Sequence, residues 1–357
     1  MGLRVGVLGV GPVGTRIVGI LGERKFPVDG QIVIMATSER VEEIGGRQVV
    51  VKKVSEDLLK NLDLVFFAGK EGAKGASMEW SDIAVKSGCT IIDNGGDFRM
   101  YPNIPLVIPE VNMDDVTKDT KIVCNPNCST IQMAVALYPL HKAARLRRVV
   151  VSTFQSVSGH SGAGMDQLKS ELALALAGEP IPANPTIFAR SIANNCIPHI
   201  DRFDKNGYTR EEIKMTNETR KIFGAPELLI TATTVRVPVM IGHAESINAE
   251  FVEPMRAQRA IEILSDPRKS PGVVCIDGVT DDKTALDTRR DYLERRYPVT
   301  EDLERDEWKD AVLVGRIRDD MTAPNAINMW CVSDNLRKGA ATNAVQIAEA
   351  MLERGLI

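Results

Sequence analysis

No two cysteines in this sequence are spaced Cys-x-x-Cys, although there are six of them: Cys89, Cys124, Cys128, Cys196, Cys275 and Cys331. The four histidines, His141, His160, His199 and His243, are equally dispersed. Neither residue type therefore has the spacing of a metal centre. No stretch is apolar for long enough to span a bilayer, and Met1-Gly2-Leu3-Arg4 runs into a strand pattern rather than a signal peptide. A cytoplasmic protein is the expectation, and in a reducing compartment most of these thiols should be packing residues. An excess of positive charge is missing too, with 44 Lys and Arg against 48 Asp and Glu and a net charge of −4. That leaves no basic face for nucleic acid and points to a small-molecule partner. What is present is ordinary for a globular chain, 44% hydrophobic and 26% charged residues, and 357 residues can fill two domains.

One of the six cysteines stands apart from the rest. Asn125-Pro126-Asn127-Cys128 is a poor core sequence and a good exposed turn. Residues 121–124 before it read as a short strand. After it, Ile131, Met133, Ala134, Val135, Ala136, Leu137 and Leu140 form an apolar helix pattern. Pro126 and Asn127 forbid an earlier helix start, which puts Cys128 at or beside the N-cap. There the helix dipole and the unpaired backbone N–H groups favour a thiolate over a thiol. A free cysteine is ordinarily a small buried hydrophobe, and this context argues for a nucleophile instead.

The chain opens with a strand pattern over residues 3–8, then Gly9-Val10-Gly11-Pro12-Val13-Gly14, then a helix pattern over 15–21. Gly-x-Gly-x-x-Gly between strand and helix is a dinucleotide signature. The glycines let a pyrophosphate approach the backbone, and the helix N-terminus receives its charge. Gly9, Gly11, Pro12, Val13 and Gly14 are the expected contacts. The next strand, residues 31–36, ends in Thr37-Ser38-Glu39-Arg40. Thr37, Ser38 and Arg40 suit the 2′-phosphate of NADP, whereas Glu39 turned inward would hold the free ribose hydroxyls of NAD. NADP is the expectation. Further strands over 61–68, 89–93 and 121–124, with a helix over 77–86, predict a parallel, doubly wound sheet.

Residues 147–154 form a strong strand pattern that opens a second domain. Residues 156–164 are rich in serine and glycine, a composition that lets the backbone come close to a bound nicotinamide. Thr209 caps a helix on which Glu211 and Lys214, three apart, share a face. By themselves these two would be an exposed ion pair. Residues 230–239 alternate as a strand carrying Arg236, and a second alternating strand runs from His243 to Phe251. His243 is the best general acid/base candidate of the four histidines. Residues 281–310 are charge-rich and read as a surface excursion or a dimer-contact arm. Two more strands, over 312–317 and 326–332, precede a final helix that opens at Lys338.

Asn125-Pro126-Asn127-Cys128-Ser129-Thr130 resembles the nucleophile segment of the bacterial-type aspartate-β-semialdehyde dehydrogenases. Phe154-Gln155-Ser156-Val157-Ser158-Gly159 resembles the next block of that family. Asp93-Asn94-Gly95-Gly96-Asp97-Phe98-Arg99 matches a third, with two glycines where the family has serines. The blocks at Ala193 to Ile200, at Arg236-Val237-Pro238-Val239 with Gly242-His243, and at Lys338 to Ile347 follow in the same order. The glycine loop is one residue shorter than the family's Gly-Ala-Thr-Gly-x-Val-Gly.

The resemblance implies an α/β fold. A Rossmann-like doubly wound sheet would cover residues 1–146, an α+β catalytic and dimerisation domain 147–337, and a C-terminal helix, 338–357, would return to the first domain. It implies NADP-dependent reduction of L-aspartyl-4-phosphate to L-aspartate-4-semialdehyde with release of phosphate. Cys128 would be the nucleophile, His243 the proton carrier and Gln155 the residue orienting the acyl group. Arg99, Asn127, Glu211, Lys214 and Arg236 would bind substrate: Glu211 its ammonium, Arg236 its carboxylate, Arg99 and Lys214 its phosphate. Ser158, Gly159 and Gln346 join the cofactor contacts. The implied assembly is a homodimer or homotetramer, with no nucleic acid and no membrane. Two alternatives remain open. One is a reductase of N-acetylglutamyl phosphate or malonyl-CoA, which would leave Glu211 without an ammonium group to meet. The other is a non-catalytic dinucleotide-binding paralogue.

Overall fold

Four consecutive apolar or small residues, Val5 to Leu8, form strand β1 (Val5–Leu8), buried along its whole length as a strand covered on both faces must be. The computed structural model describes residues 2–69, 72, 75–183, 185–279 and 297–357. After β1 come helix α1 (Pro12–Glu23), β2 (Val33–Ala36), β3 (Arg40–Ile44), β4 (Arg47–Lys53), α2 (Glu56–Leu59) and β5 (Leu64–Phe67). They are followed by α3 (Ala76–Lys86), β6 (Thr90–Asp93), α4 (Pro109–Asn112), β7 (Ile122–Cys124) and α5 (Cys128–Ala144). The first sheet has the order β3-β4-β2-β1-β5-β6-β7. From β4 to β7 all pairs are parallel, while β3 runs antiparallel at the edge.

Extending the chain are β8 (Leu146–Gln155), α6 (Ser161–Ala177), α7 (Arg210–Phe223), β9 (Leu229–Arg236), β10 (His243–Phe251) and α8 (Ala257–Leu264). Then come β11 (Val273–Cys275), β12 (Val312–Asp319), β13 (Ala326–Ser333) and the last helix, α9 (Thr342–Glu353). The second sheet has the order β11-β12-β13-β10-β8-β9. Its centre, β13-β10-β8, is antiparallel.

The chain packs as two compact units, one of Met1–Cys128, Lys221–Phe223 and Gly339–Ile357, the other of Ser129–Arg220 and Gly224–Lys338. In the first, Ile17, Ile20 and Leu21 of α1 and Val345, Ile347 and Met351 of α9 close on Val5, Val7 and Phe66. The last helix thus belongs to the nucleotide-fold core, as its apolar face requires. All of α5 after Cys128 packs with the second unit, whereas the sequence reading ran the first domain to residue 146.

Within residues 156–164 a 3₁₀ turn, Val157–His160, leads straight into α6 at Ser161, with Gly159 in the turn and Gly162 and Gly164 in the first turn of the helix. The β3–β4 hairpin was not anticipated. Gly45 and Gly46 both take positive φ (59° and 75°), the backbone that a tight two-residue hairpin turn needs. Of the charge-rich segment 281–310, residues 281–296 lie outside the described residues. Beyond them, Trp330 Nε1 donates to the Pro298 carbonyl at 3.0 Å.

The second sheet has two unlike faces, and its register shows why. Val235, Phe154, Ala244 and Val332 lie side by side across β9, β8, β10 and β13. Phe154, Ala244 and Val332 join Leu303, Leu313 and Trp330 in an apolar cluster. On the opposite face the corresponding row is Thr234, Thr153, Glu245 and Cys331, and one step along the strands Arg236 lies beside Gln155 and His243 beside Ser333. All of these are buried. A buried polar face is costly unless its groups are paired or put to use.

Candidate active site

Parallel strands present all their C-terminal ends at one edge, and in open α/β sheets that edge is where ligands bind. In the first unit every expected residue but one lies there. The glycine loop follows β1, Thr37 to Arg40 follow β2, Arg99 lies in the loop after β6, and Asn127 and Cys128 follow β7. Gln346 is the exception, half-buried on α9.

The glycine loop fits a dinucleotide. Gly9 takes φ +120°, and a Cβ on Gly14 would run into the Gly9 carbonyl oxygen. Gly11 is the N-cap of α1 without a side-chain cap, and Pro12 opens the helix, so the first-turn amides face outward for an anion. After β2, Arg40 Nη1 donates to Ser38 Oγ at 3.1 Å and to its carbonyl at 3.2 Å, while Arg40 Nε pairs with Glu42 at 2.5 Å. Glu39 is exposed.

After β6, Arg99 is buried and its Nη2 donates to the Asn94 carbonyl at 2.8 Å. Lys221 Nζ holds the same loop through the carbonyls of Arg99, Tyr101 and Ile104, each within 2.8 Å. Asn125, at the end of β7, donates to Asn94 Oδ1 and accepts from Asn343 of α9 at 2.7 Å. Burial pushes the Asp93 carboxyl up to about 6, against hydrogen bonds from the Gly95 amide and Ser77.

In the second unit the buried polar face gathers Gln155, Arg236 and His243 from three strands and Glu211 and Lys214 from α7. Thr209 and Glu212 form a reciprocal cap on that helix: Thr209 N–H donates to Glu212 Oε2 (2.7 Å) and Glu212 N–H to Thr209 Oγ1 (3.4 Å). Glu212 Oε1 also accepts from the Thr234 amide at 2.9 Å, which ties the start of α7 to β9.

Glu211 and Lys214 are therefore no solvated pair. Glu211 is buried, accepts from Gln155 Nε2 at 3.3 Å, and lies 3.8 Å from Lys214 Nζ. Asp201, held at a φ of +66°, binds the same ammonium at 3.0 Å. Arg236 Nη1 donates to the Ser156 carbonyl at 2.6 Å, and its guanidinium lies 5.7 Å from the Phe188 ring centroid. Gly159 makes room for it, since a Cβ there would meet Arg236 Nη1 at 2.6 Å and the His243 ring at 3.3 Å.

His243 is fully buried, and burial together with the Arg236 cation pushes its imidazole down to about 3, so the ring is neutral at physiological pH. Its Nδ1 accepts the Ser156 N–H at 3.1 Å, which places the ring hydrogen on Nε2. Ser156 Oγ, Ser158 Oγ and the Gly242 amide all converge on Asn335 Oδ1 within 3.1 Å. The structure thus adds residues that the sequence reading passed over. Asn335 locks the His243 strand start, Asp201 steadies Lys214 and Lys221 anchors the Arg99 loop. Only the Ser-Asp-Asn run before Lys338 hinted at any of them.

Cys128 is the first residue of α5, partly exposed, while Cys89, Cys124, Cys275 and Cys331 are buried and Cys196 is exposed. Among the described residues no group of three or more potential ligands could hold a metal ion, and no helix is long and apolar enough to cross a membrane.

Comparison with known proteins gives a consistent picture. The family model for the semialdehyde dehydrogenase NAD binding domain matches residues 4–119, and the one for the semialdehyde dehydrogenase dimerisation domain matches residues 137–338. The sequence is 42% identical to the aspartate-semialdehyde dehydrogenase of Aquifex aeolicus over all of both chains. The fold is similar to the crystal structure of aspartate semialdehyde dehydrogenase II from Vibrio cholerae, with a TM-score of 0.86, 39% identity and 99% of each chain covered. A structure of that enzyme complexed with ASA matches to the same degree.

Proposed function

The chain belongs to the aspartate-semialdehyde dehydrogenase family, and from that premise we propose that it reduces L-aspartyl-4-phosphate to L-aspartate-4-semialdehyde through a thioester on Cys128. One observation carries the reading: a charge set that joins buried Arg236 of the second sheet with buried Glu211 and partly exposed Lys214 of α7. Arg236, Glu211 and Lys214 offer a cation, an anion and a second cation around Gln155 and His243. An amino acid bearing a further phosphate needs that set, a guanidinium for the α-carboxylate, a carboxylate for the α-ammonium and an ammonium for the phosphate. An acylated amino group would have no use for Glu211.

Arg236 and Glu211 fix the amino-acid end, and Arg99, Asn127 and Lys214 take the phosphate. Gln155, hydrogen-bonded to Glu211, orients the acyl group. The Cys128 sulfur attacks the acyl carbon, the C–O bond to phosphate breaks and phosphate leaves. A bound nicotinamide would supply hydride for the thioester carbon. His243, neutral with its hydrogen on Nε2, donates a hydrogen bond to the oxygen as it gains negative charge and keeps its proton. As the resulting hemithioacetal anion collapses, the C–S bond breaks, the aldehyde departs and Cys128 is released as the thiolate.

The cofactor is NADP. Gly9, Gly11, Pro12, Val13 and Gly14 hold the pyrophosphate, and Ser158, Gly159 and Gln346 complete the contacts. Thr37, Ser38 and Arg40 take the 2′-phosphate, a reading supported by the way Ser38 and Glu42 already hold the Arg40 guanidinium. The domains act as a dinucleotide-binding part, 1–146, a catalytic and dimerisation part, 147–337, and a returning helix, 338–357. The assembly is a homodimer or homotetramer in the cytoplasm. The test is reduction of NADP with aspartate semialdehyde and inorganic phosphate. Turnover that needs all three supports the reading, and turnover indifferent to phosphate contradicts it.

A further inference from the structure

Behind the row that carries Arg236, Gln155 and His243, one step deeper along the strands, lies Glu245 in a row with Thr234, Thr153 and Cys331. Its side chain has no exposure to solvent. One oxygen, Oε1, has no partner, and the other receives only the weak S–H of Cys331 at 3.5 Å. Among the described residues no cation pairs with it. From α5 the buried Gln132 faces it close enough to ease the charge a little, although its amide falls short of good hydrogen-bond geometry. The titratable groups facing Glu245 are Cys331 from β13 and Glu211 from α7, while β8 offers only Thr153. A bare carboxylate in such a place is very costly.

We propose that Glu245 is a positioning residue that works as a neutral carboxylic acid, leaving Glu211 as the one anion the buried face presents to the substrate. A carboxyl in a dry site with no cation at hand keeps its proton. Glu211 has a cation, Lys214, at 3.8 Å and a donor in Gln155, whereas Glu245 has no cation among the described residues and only the weak contacts of Cys331 and Gln132. Were Glu245 ionised, a second negative charge would stand behind Glu211 in a site that has one ammonium to meet. The consequence for catalysis rests on Glu211 binding that ammonium; the neutrality of Glu245 does not.

Infrared spectroscopy of the whole enzyme across a pH series tests the neutrality directly. A protonated-acid carbonyl band should be present at neutral pH, vanish as pH rises through about 8, and be absent from Glu245→Gln. Asp93, the other carboxyl raised among the described residues, is pushed by burial only to about 6 and is mostly ionised at neutral pH. Kinetics test the role. Glu245→Gln copies the neutral acid, so it should keep kcat/KM for aspartate semialdehyde within about threefold at neutral pH. The parent should lose about tenfold per pH unit above about 8 through this group, and that loss should be missing from Glu245→Gln. No acid band at neutral pH, or the same alkaline loss in Glu245→Gln, overturns the proposal. If Glu245→Gln fails to fold, the band in the parent still decides. If the parent itself does not turn over aspartate semialdehyde, the functional reading fails while the spectrum still judges Glu245.

Discussion

In the first unit the candidate residues other than Gln346 lie at the C-terminal ends of parallel strands, on loops and helix starts, some exposed like Ser38 and some buried like Arg99 and Asn127. In the second, Gln155, Arg236 and His243 stand buried on one face of a largely antiparallel sheet, with Glu211 of α7 hydrogen-bonded to Gln155 and partly exposed Lys214 beside it. The first arrangement should tolerate substitution of single side chains, since the amides of the glycine loop would do much of the binding. The second should not, because a buried charge that loses its partner bears the full cost of desolvation. Cys128 lies at a junction in the chain: it ends the first stretch of the first unit and begins α5, the rest of which packs with the second.

That contrast can be broken in three places. The largest effect is expected at the junction. Cys128→Ser should leave the fold and NADP binding intact while turnover falls on the order of a thousandfold or more, since an unactivated hydroxyl is a poor nucleophile. Substantial retained activity would remove Cys128 from the chemistry.

Next is the buried face. Arg236→Lys should lose about 1.5 to 3 kcal/mol of transition-state binding, roughly ten- to a hundredfold in kcat/KM, because lysine cannot make the planar two-bond contact to a carboxylate. Unchanged kinetics would move Arg236 out of the site. The first unit should respond more mildly. Arg40→Ala should cut the preference for NADP over NAD by about tenfold, the value of one charged hydrogen bond at a half-buried position, and leave kcat alone. A parent enzyme that prefers NAD would reverse the assignment.

The same contrast explains what could be read from the sequence. Gly9 to Gly14 and Asn125 to Cys128 are local signals, in which turn residues and helix starts dictate backbone shape within a few positions. Both lie where expected, although α1 begins three residues earlier, at Pro12. The polar face of the second sheet was not legible as a face. Thr153, Thr234, Glu245 and Cys331 are far apart in sequence, and only the register of four strands lines them up. Glu211 and Lys214 looked like a surface pair because helical spacing says nothing about what covers the helix. The composition of residues 156–164 could be read, but not that Gly159 sits in a 3₁₀ turn before α6 where a side chain would collide with Arg236 and His243. The Gly45-Gly46 hairpin was a signal that went unused.

The central claim is that an aspartyl group passes through Cys128. With aspartate semialdehyde and NADP but no phosphate, the semialdehyde carbon is oxidised, hydride goes to NADP and the acyl group remains on the enzyme as a thioester. Intact-mass measurement followed by fragmentation should find one aspartyl group per chain, on Cys128, with about one NADPH formed per chain in a burst. An acyl group on exposed Cys196, or a burst without any acylated enzyme, would contradict the account.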